Sequence, residues 1–166
     1  MPRVFMYGPD ALQGRMFDRI GPTEFLGAAI LDDVTLVFDK PNIKDAREGL
    51  PNLHPKDGAQ TIGALFELQK QQFELLDGFF GGYEQAEARV RRVEDPESRS
   101  KATYWVARRT KKGLLPSAGS VRDALQALSE NGVDDAATRV LLEDLQTLPE
   151  PEPRPEPTAV GDEESA

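Results

Sequence analysis

Residues 3–12 read Arg-Val-Phe-Met-Tyr-Gly-Pro-Asp-Ala-Leu and decide how the rest of the chain is interpreted. The first half is a short apolar run that is typical of a β-strand. The second half is a Gly-Pro-Asp turn that ends the strand and leads into a polar, helix-compatible segment at residues 13–18. A strand that ends in a glycine turn before a helix often presents backbone N–H groups to an anion. A strand-turn-helix without a ligand is the alternative, and these ten residues leave both open.

Length and charge indicate one domain followed by an acidic tail. A chain of 166 residues is long enough to bury a single core without disulfides. Residues 149–166 are rich in proline and glutamate, and such a composition cannot bury a core. This tail carries six acidic residues and one arginine, so it accounts for −5 of the net charge of −9. We therefore predict a folded domain at residues 1–148 and a disordered tail at residues 149–166, with a protein partner as one function of the tail.

Composition excludes several classes of site. The chain has no cysteine and a single histidine, His54, so thiolate zinc sites, cysteine nucleophiles and histidine-rich metal sites are excluded. We expect no metal and no cofactor. The basic residues at 108–112 form only a short cluster, which argues against binding to nucleic acid. No apolar run is long enough for a membrane span and no signal pattern is present, so we expect a cytoplasmic protein.

Strand and helix patterns alternate along the domain. Alternating apolar residues predict strands, apolar residues at helical spacing predict helices, and the Asp57-Gly58 dipeptide predicts a tight reversal. The expected strands are residues 30–38, 61–68, 84–93 and 102–107; the expected helices are residues 69–77, 121–129 and 136–148; residues 39–51 are expected to form a loop. This order predicts an α+β domain with a curved mixed sheet or small β-barrel, flanking helices and a C-terminal helical hairpin.

Several segments, in this order, resemble the gamma-glutamylcyclotransferase-like superfamily, which includes plant avirulence-induced proteins and the butirosin-pathway cyclotransferase. The family opens with a strand followed by Tyr-Gly-Ser-Asn/Thr and continues with Asn-Ile/Leu-x-Pro, a Val-x-Gly-x-Leu-Tyr/Phe-Glu-Leu strand and Leu-Asp-x-x-Glu-Gly-x-Tyr. The matching segments here are Met-Tyr-Gly-Pro-Asp at 6–10, Asn-Leu-His-Pro at 52–55, Ile-Gly-Ala-Leu-Phe-Glu-Leu at 62–68 and Leu-Asp-Gly-Phe-Phe-Gly-Gly-Tyr at 76–83. A late strand at residues 102–107 and Pro-Ser at 116–117 also fit the family's plan.

The resemblance implies an intramolecular reaction in which the amine of a gamma-glutamyl group attacks its own side-chain carbonyl. The products are 5-oxoproline and a released amine or amino acid. In the family the turn after the first strand holds the substrate, and the glutamate of Leu-Asp-x-x-Glu-Gly transfers the protons. By this correspondence the ligand-binding positions are Tyr7, Gly8, Pro9, Asp10, Ala11, Phe80 and Tyr83.

The residues at these positions depart from the family pattern. Phe80 stands where the family has its glutamate, and phenylalanine cannot transfer a proton. Pro9 replaces serine and has no N–H to donate, while the charge of Asp10 repels a carboxylate unless it points away. Glu84, Asp77 and Asp10 are the candidate surrogates for the lost glutamate.

Two functions remain open. One is a catalytically impaired protein that binds a small gamma-glutamyl or amino-acid-like ligand, or that serves as an interaction domain. The other is an active cyclotransferase, or a related amide-processing enzyme, with a relocated carboxylate. The first predicts aromatic residues in place of an acid, and the second predicts a surrogate carboxylate within reach of the pocket.

Overall fold

The computed structural model describes residues 1–133 and 135–149, in which five strands close into a mixed barrel of strand order β1-β3-β2-β4-β5. A single-turn 3₁₀ helix at Gly8–Ala11 follows the first strand, and four α-helices lie outside the barrel. The strands are β1 Arg3–Met6, β2 Glu24–Asn42, β3 Asp45–Glu67, β4 Tyr83–Arg92 and β5 Arg99–Ala107. The helices are α1 Gln13–Ile20, α2 Lys70–Asp77, α3 Ala118–Glu130 and α4 Ala136–Glu143. The predicted α+β domain with a small barrel is therefore confirmed.

The opening strand lies between two partners. β1 pairs antiparallel with β3, where Phe5 faces Leu65, and parallel with β5, where Val4 faces Thr103. Alternate residues of β1 then point to opposite faces of the sheet. Phe5 joins an inner cluster with Leu31, Leu53, Leu65, Val90 and Ala102, whereas Val4 and Met6 join an outer cluster with Met16, Ile20, Leu76, Phe80 and Trp105. This outer cluster lies under α1 and α2 and contains the predicted catalytic position.

The loop predicted at residues 39–51 is wrong, because these residues belong to a long hairpin. β2 pairs with β3 from Glu24 opposite Glu67 to Asn42 opposite Asp45, with several bulges. The polar side chains and prolines of this arm break the apolar alternation that sequence patterns detect. Backbone pairing needs no such alternation.

The tight reversal predicted at Lys56-Asp57-Gly58 is also wrong. The pairing register steps from Asp32 opposite Gln60 to Val34 opposite Pro55, so residues 56–59 form a bulge within β3. Asp33, which has a φ of 63°, sits opposite the bulge, and its carboxylate accepts the Gly58 N–H at 3.0 Å. The Asp-Gly pair therefore lies in a β-bulge and does not reverse the direction of the chain.

The predicted C-terminal helical hairpin is confirmed, with one shorter helix. The Ser117 hydroxyl caps α3 by accepting the Ser120 N–H at 3.0 Å, and Gly132 follows the helix end with a φ of 77°. α4 ends at Glu143 and not at residue 148 as predicted. Phe38 of β2 packs with Val121, Ala124, Leu128 and Leu142 of these helices. Apart from Pro149, the predicted tail lies outside the described residues.

Within the described ranges, no helix combines the length and the apolar character needed to cross a membrane.

Candidate functional site

The turn after β1 is a 3₁₀ helix that differs from a simple N–H cradle. Gly8 begins it with a φ of 59°, a conformation that favours glycine. Pro9 and Ala11 are buried, and the Leu12 N–H bonds back to the Pro9 carbonyl at 3.3 Å. Pro9 contributes no N–H, so this position of the turn offers no backbone donor to a ligand.

Asp10 is held by two arginines of α1. Its Oδ1 lies 3.3 Å from Arg15 Nη1 and 3.1 Å from Arg19 Nη1. Arg15 also pairs with Asp123 of α3 at 2.7 Å, which ties the turn to both helices. Only 14% of the Asp10 side chain is exposed, so its charge is directed at these guanidinium groups and compensated by them.

Phe80, which the motif resemblance aligned with the family's glutamate, contacts aromatic rings and one cation. It is 8% exposed and lies parallel to Trp105, with ring centroids 4.7 Å apart at 10°. Tyr83 meets it edge-on at 5.5 Å, and the Arg19 guanidinium lies 5.6 Å from the Phe80 centroid. Arg19 also lies 5.2 Å from the half-exposed ring of Phe79. The ring of Phe80 is therefore packed among apolar side chains, with the Arg19 guanidinium as a cation beside it.

The two predicted tyrosines anchor the backbone nearby. The Tyr7 hydroxyl donates to the Trp105 carbonyl at 2.5 Å, and the Tyr83 hydroxyl donates to the Pro51 carbonyl at 2.7 Å. Burial raises the pKa of both phenols, and Tyr83 and Asp10 raise the pKa of Tyr7 further. Both hydroxyls consequently remain hydrogen-bond donors at neutral pH.

Lys40 lies over the ring of Tyr83, although the sequence analysis predicted no role for it. Its ammonium lies 5.1 Å from the Tyr83 ring centroid and donates to the Pro41 carbonyl at 3.2 Å. Burial lowers the pKa of this amine. A Cβ on Gly82 would lie 2.9 Å from the Lys40 side chain, so glycine at this loop position allows the close approach.

The three candidate surrogates lie in different surroundings. Glu84 is exposed on β4 opposite Val106. Asp77 is exposed at the end of α2 and accepts the Trp105 Nε1–H at 2.8 Å and the Gln85 amide at 3.1 Å. Asp10 is the one of the three that is linked to Phe80 by a charged residue, Arg19. Through this partner the structure brings together the turn and the aromatic loop, whereas Asp77 reaches Phe80 only by way of Trp105.

The Asn-Leu-His-Pro segment holds a polar cluster whose geometry the sequence did not predict. Asn52 is 2% exposed, donates to Asp39 at 2.9 Å and accepts the Ala107 N–H at 2.9 Å. His54 Nε2 lies 2.6 Å from the other Asp39 oxygen. The motif thus links β2, β3 and the end of β5, and His54 lies on β3. The family motif was the only sequence signal for this cluster.

Among the described residues, no group of three or more histidine, aspartate or glutamate side chains is arranged to hold a metal ion.

A pH dependence follows from the Asp77 contacts. Hydrogen bonds from Trp105 and Gln85 lower the pKa of Asp77 in the folded state. Their stabilising contribution is therefore complete above the unfolded pKa of ~4 and is lost as pH falls through the lowered value. We expect Asp77→Asn to lose less stability than the wild type between pH 5 and pH 2 in urea unfolding.

Glu84→Gln is the matched control, because its carboxylate accepts no hydrogen bond from the described residues. The assignment of the acid-sensitive contribution to Asp77 is incorrect if both variants show the wild-type dependence on pH.

Several solved structures align with most of this chain and share its fold. No family profile and no curated protein matches the sequence. A solved structure titled gamma-glutamyl cyclotransferase aligns with 93% of this chain and 94% of its own, at a TM-score of 0.81 and 18% identity. An uncharacterized protein from Homo sapiens aligns over 99% and 98% at a TM-score of 0.80 and 19% identity. YkqA from Bacillus subtilis aligns over 89% of this chain and 56% of its own, at a TM-score of 0.71 and 14% identity. At these identities the likeness defines the fold.

Proposed function

Since the chain has the gamma-glutamylcyclotransferase-like fold, we propose that it binds a small amino-acid-like ligand and is impaired in the cyclotransfer reaction. The observation that carries the proposal is Phe80, an apolar ring packed against Trp105 at the position of the family's glutamate. The chain has the fold of these enzymes, but Phe80 cannot perform the proton transfer that the reaction requires.

Cyclotransfer requires a group that accepts and returns a proton. The gamma-glutamyl ammonium must lose a proton before its nitrogen attacks the side-chain carbonyl and forms the new C–N bond. The old C–N bond then breaks, and the departing nitrogen must gain a proton. A carboxylate performs both transfers in turn, and such acid–base catalysis typically contributes ~10²–10⁴-fold to the rate.

The neighbours of Phe80 do not replace this group. The Arg19 guanidinium beside the ring is a cation that only donates hydrogen bonds, so it cannot act as a base. The Tyr83 hydroxyl has a raised pKa and donates to the Pro51 carbonyl. The side chains nearest to Phe80 thus supply surface and positive charge, but no base.

Ligand binding is more compatible with these surroundings than catalysis. The sequence predicted that Asp10 repels a ligand carboxylate. Because Arg15 and Arg19 compensate its charge, the repulsion is reduced. Lys40 adds a cation beside Tyr83 that pairs with no carboxylate of the described residues, which favours an anionic group on the ligand.

An active enzyme that uses Asp10 is the second candidate. Asp10 shares Arg19 with Phe80, and its charge acts on both Tyr7 and Tyr83. The charges that raise the pKa values of these tyrosines include Asp10 but neither Glu84 nor Asp77. Asp10 is therefore the surrogate that the contacts favour.

One assay separates the two candidates. Purified protein is incubated with gamma-glutamyl amino acids and gamma-glutamylamines, and 5-oxoproline is measured by chromatography. We expect a rate ~10²–10⁴-fold below that of an enzyme with an intact acid–base residue. We also expect no further loss in Asp10→Asn.

Glu84→Gln and Phe80→Ala serve as controls, with circular dichroism to verify folding. Robust turnover that survives in these two variants and disappears in Asp10→Asn would contradict the impaired function and support the active enzyme.

A further inference from the structure

A cavity of about 340 Å³ lies between the β2–β3 hairpin and the α3–α4 pair. Gly8 and Ala11 of the 3₁₀ turn line one side of it, whereas Phe80 and Tyr83 are not among its described lining residues. The turn therefore separates this cavity from the aromatic surroundings of Phe80. Its volume lies within the ~300–1,000 Å³ range of small-molecule pockets.

Most of the cavity wall is apolar or already hydrogen-bonded. Leu36, Ile62 and Leu128 contribute aliphatic surface. The Asn131 side chain donates to the Ala11 carbonyl at 3.1 Å and accepts the Gln13 amide at 3.1 Å. The aliphatic part of the wall suits an apolar ligand side chain.

Two charged residues of opposite sign border the cavity from opposite elements. Lys56 lies on the β3 bulge, is exposed, and forms no ion pair with a described residue. Asp135 precedes α4, and one of its carboxylate oxygens accepts the Thr138 hydroxyl. The second oxygen of Asp135 accepts no hydrogen bond within the described part of the chain. They are the only charged residues among the described lining residues.

We propose that this cavity binds a zwitterionic amino acid with an aliphatic side chain. The ligand carboxylate pairs with Lys56, its ammonium pairs with the free oxygen of Asp135, and its side chain packs on the apolar wall. A purely anionic ligand is repelled by Asp135, and a purely cationic ligand is repelled by Lys56. A neutral pair of opposite charges therefore matches this border better than either ion alone.

This inference goes beyond the proposed function, because the cavity is a second site that the 3₁₀ turn separates from Phe80. The two can fail separately. Robust turnover to 5-oxoproline contradicts the impaired catalysis and leaves amino-acid binding in this cavity untouched. Absence of amino-acid binding overturns the cavity assignment and leaves the assay of Phe80 untouched.

The test is calorimetric titration of the full chain with L-norleucine. We expect saturable binding, and we expect hexanoate and pentylamine, which each lack one charge, to bind about tenfold more weakly or worse. L-Glutamate and L-lysine, whose side chains are charged, are also expected to bind more weakly. Equal binding of hexanoate or pentylamine would overturn the zwitterion assignment.

Two pairs of variants place the ligand in the cavity. Ala137→Trp adds a large ring at an exposed lining position, and we expect it to abolish norleucine binding. Ala136→Trp, on the same helix but outside the lining, is the matched control and is expected to bind normally. Lys56→Gln is expected to reduce affinity about tenfold, while Lys70→Gln on α2 leaves it unchanged. Unaltered affinity in Ala137→Trp would overturn the proposal.

Discussion

Replacing Gly63 with alanine is expected to destabilise the fold by about 3 kcal/mol or more, at the upper end of overpacking effects. A Cβ at this position would lie 2.1 Å from the Met6 carbonyl oxygen and 2.8 Å from the Phe5 ring. The carbonyl belongs to the backbone of β1, which is held between β3 and β5 and cannot shift without disturbing both pairings. Natural domains have only ~5–15 kcal/mol of stability, so this loss is a large fraction of the total.

Gly14→Ala is the matched control for this prediction. An added Cβ there meets no atom within 4 Å, and the residue lies in α1, where alanine is favoured over glycine. We expect its free energy of unfolding to equal or exceed that of the wild type. Urea titrations followed by the fluorescence of Trp105, the only tryptophan, and by circular dichroism measure both variants. A Gly63→Ala protein as stable as Gly14→Ala would contradict the close approach of β1 and β3.

The opening stretch was predictable because its signals are local. The apolar run of β1, the glycine at the turn and the polar helix that follows lie within twenty residues, and all three occur as expected. Residues 39–51 were not predictable in the same way. They lack apolar alternation, and their strand structure depends on backbone bonds between β2 and β3. The residue pattern along β2 alone does not show that β3 pairs with it.

The candidate site shows the same division between local and distant information. The sequence aligned Phe80 with the family's glutamate because the surrounding Leu-Asp and Gly-Gly-Tyr residues lie close by. Its cationic neighbour, Arg19, comes from α1, and the cation over Tyr83, Lys40, comes from β2. Single basic residues in unremarkable segments give no sequence signal, so the positive charge beside the aromatic loop became visible only in the folded chain.

Replacing Trp105 with alanine is expected to cost ~3–5 kcal/mol, the range for removing a large buried aromatic side chain. Trp105 is 1% exposed, lies parallel to Phe80, and meets the Phe73 ring at a centroid distance of 5.8 Å. Its indole N–H also donates to Asp77 at 2.8 Å. Truncation therefore leaves a cavity under α2 and removes the surface on which Phe80 rests.

Trp105→Phe separates the ring from the hydrogen bond. Phenylalanine keeps an aromatic ring against Phe80 but cannot donate to Asp77, which is exposed and can accept a hydrogen bond from water instead. We expect this variant to lose less than half as much stability as Trp105→Ala. Circular dichroism must follow unfolding, because both variants lack the only tryptophan. If both variants lost equal stability, the contribution of Trp105 would come from its hydrogen bond to Asp77 and not from its ring packing against Phe80 and Phe73.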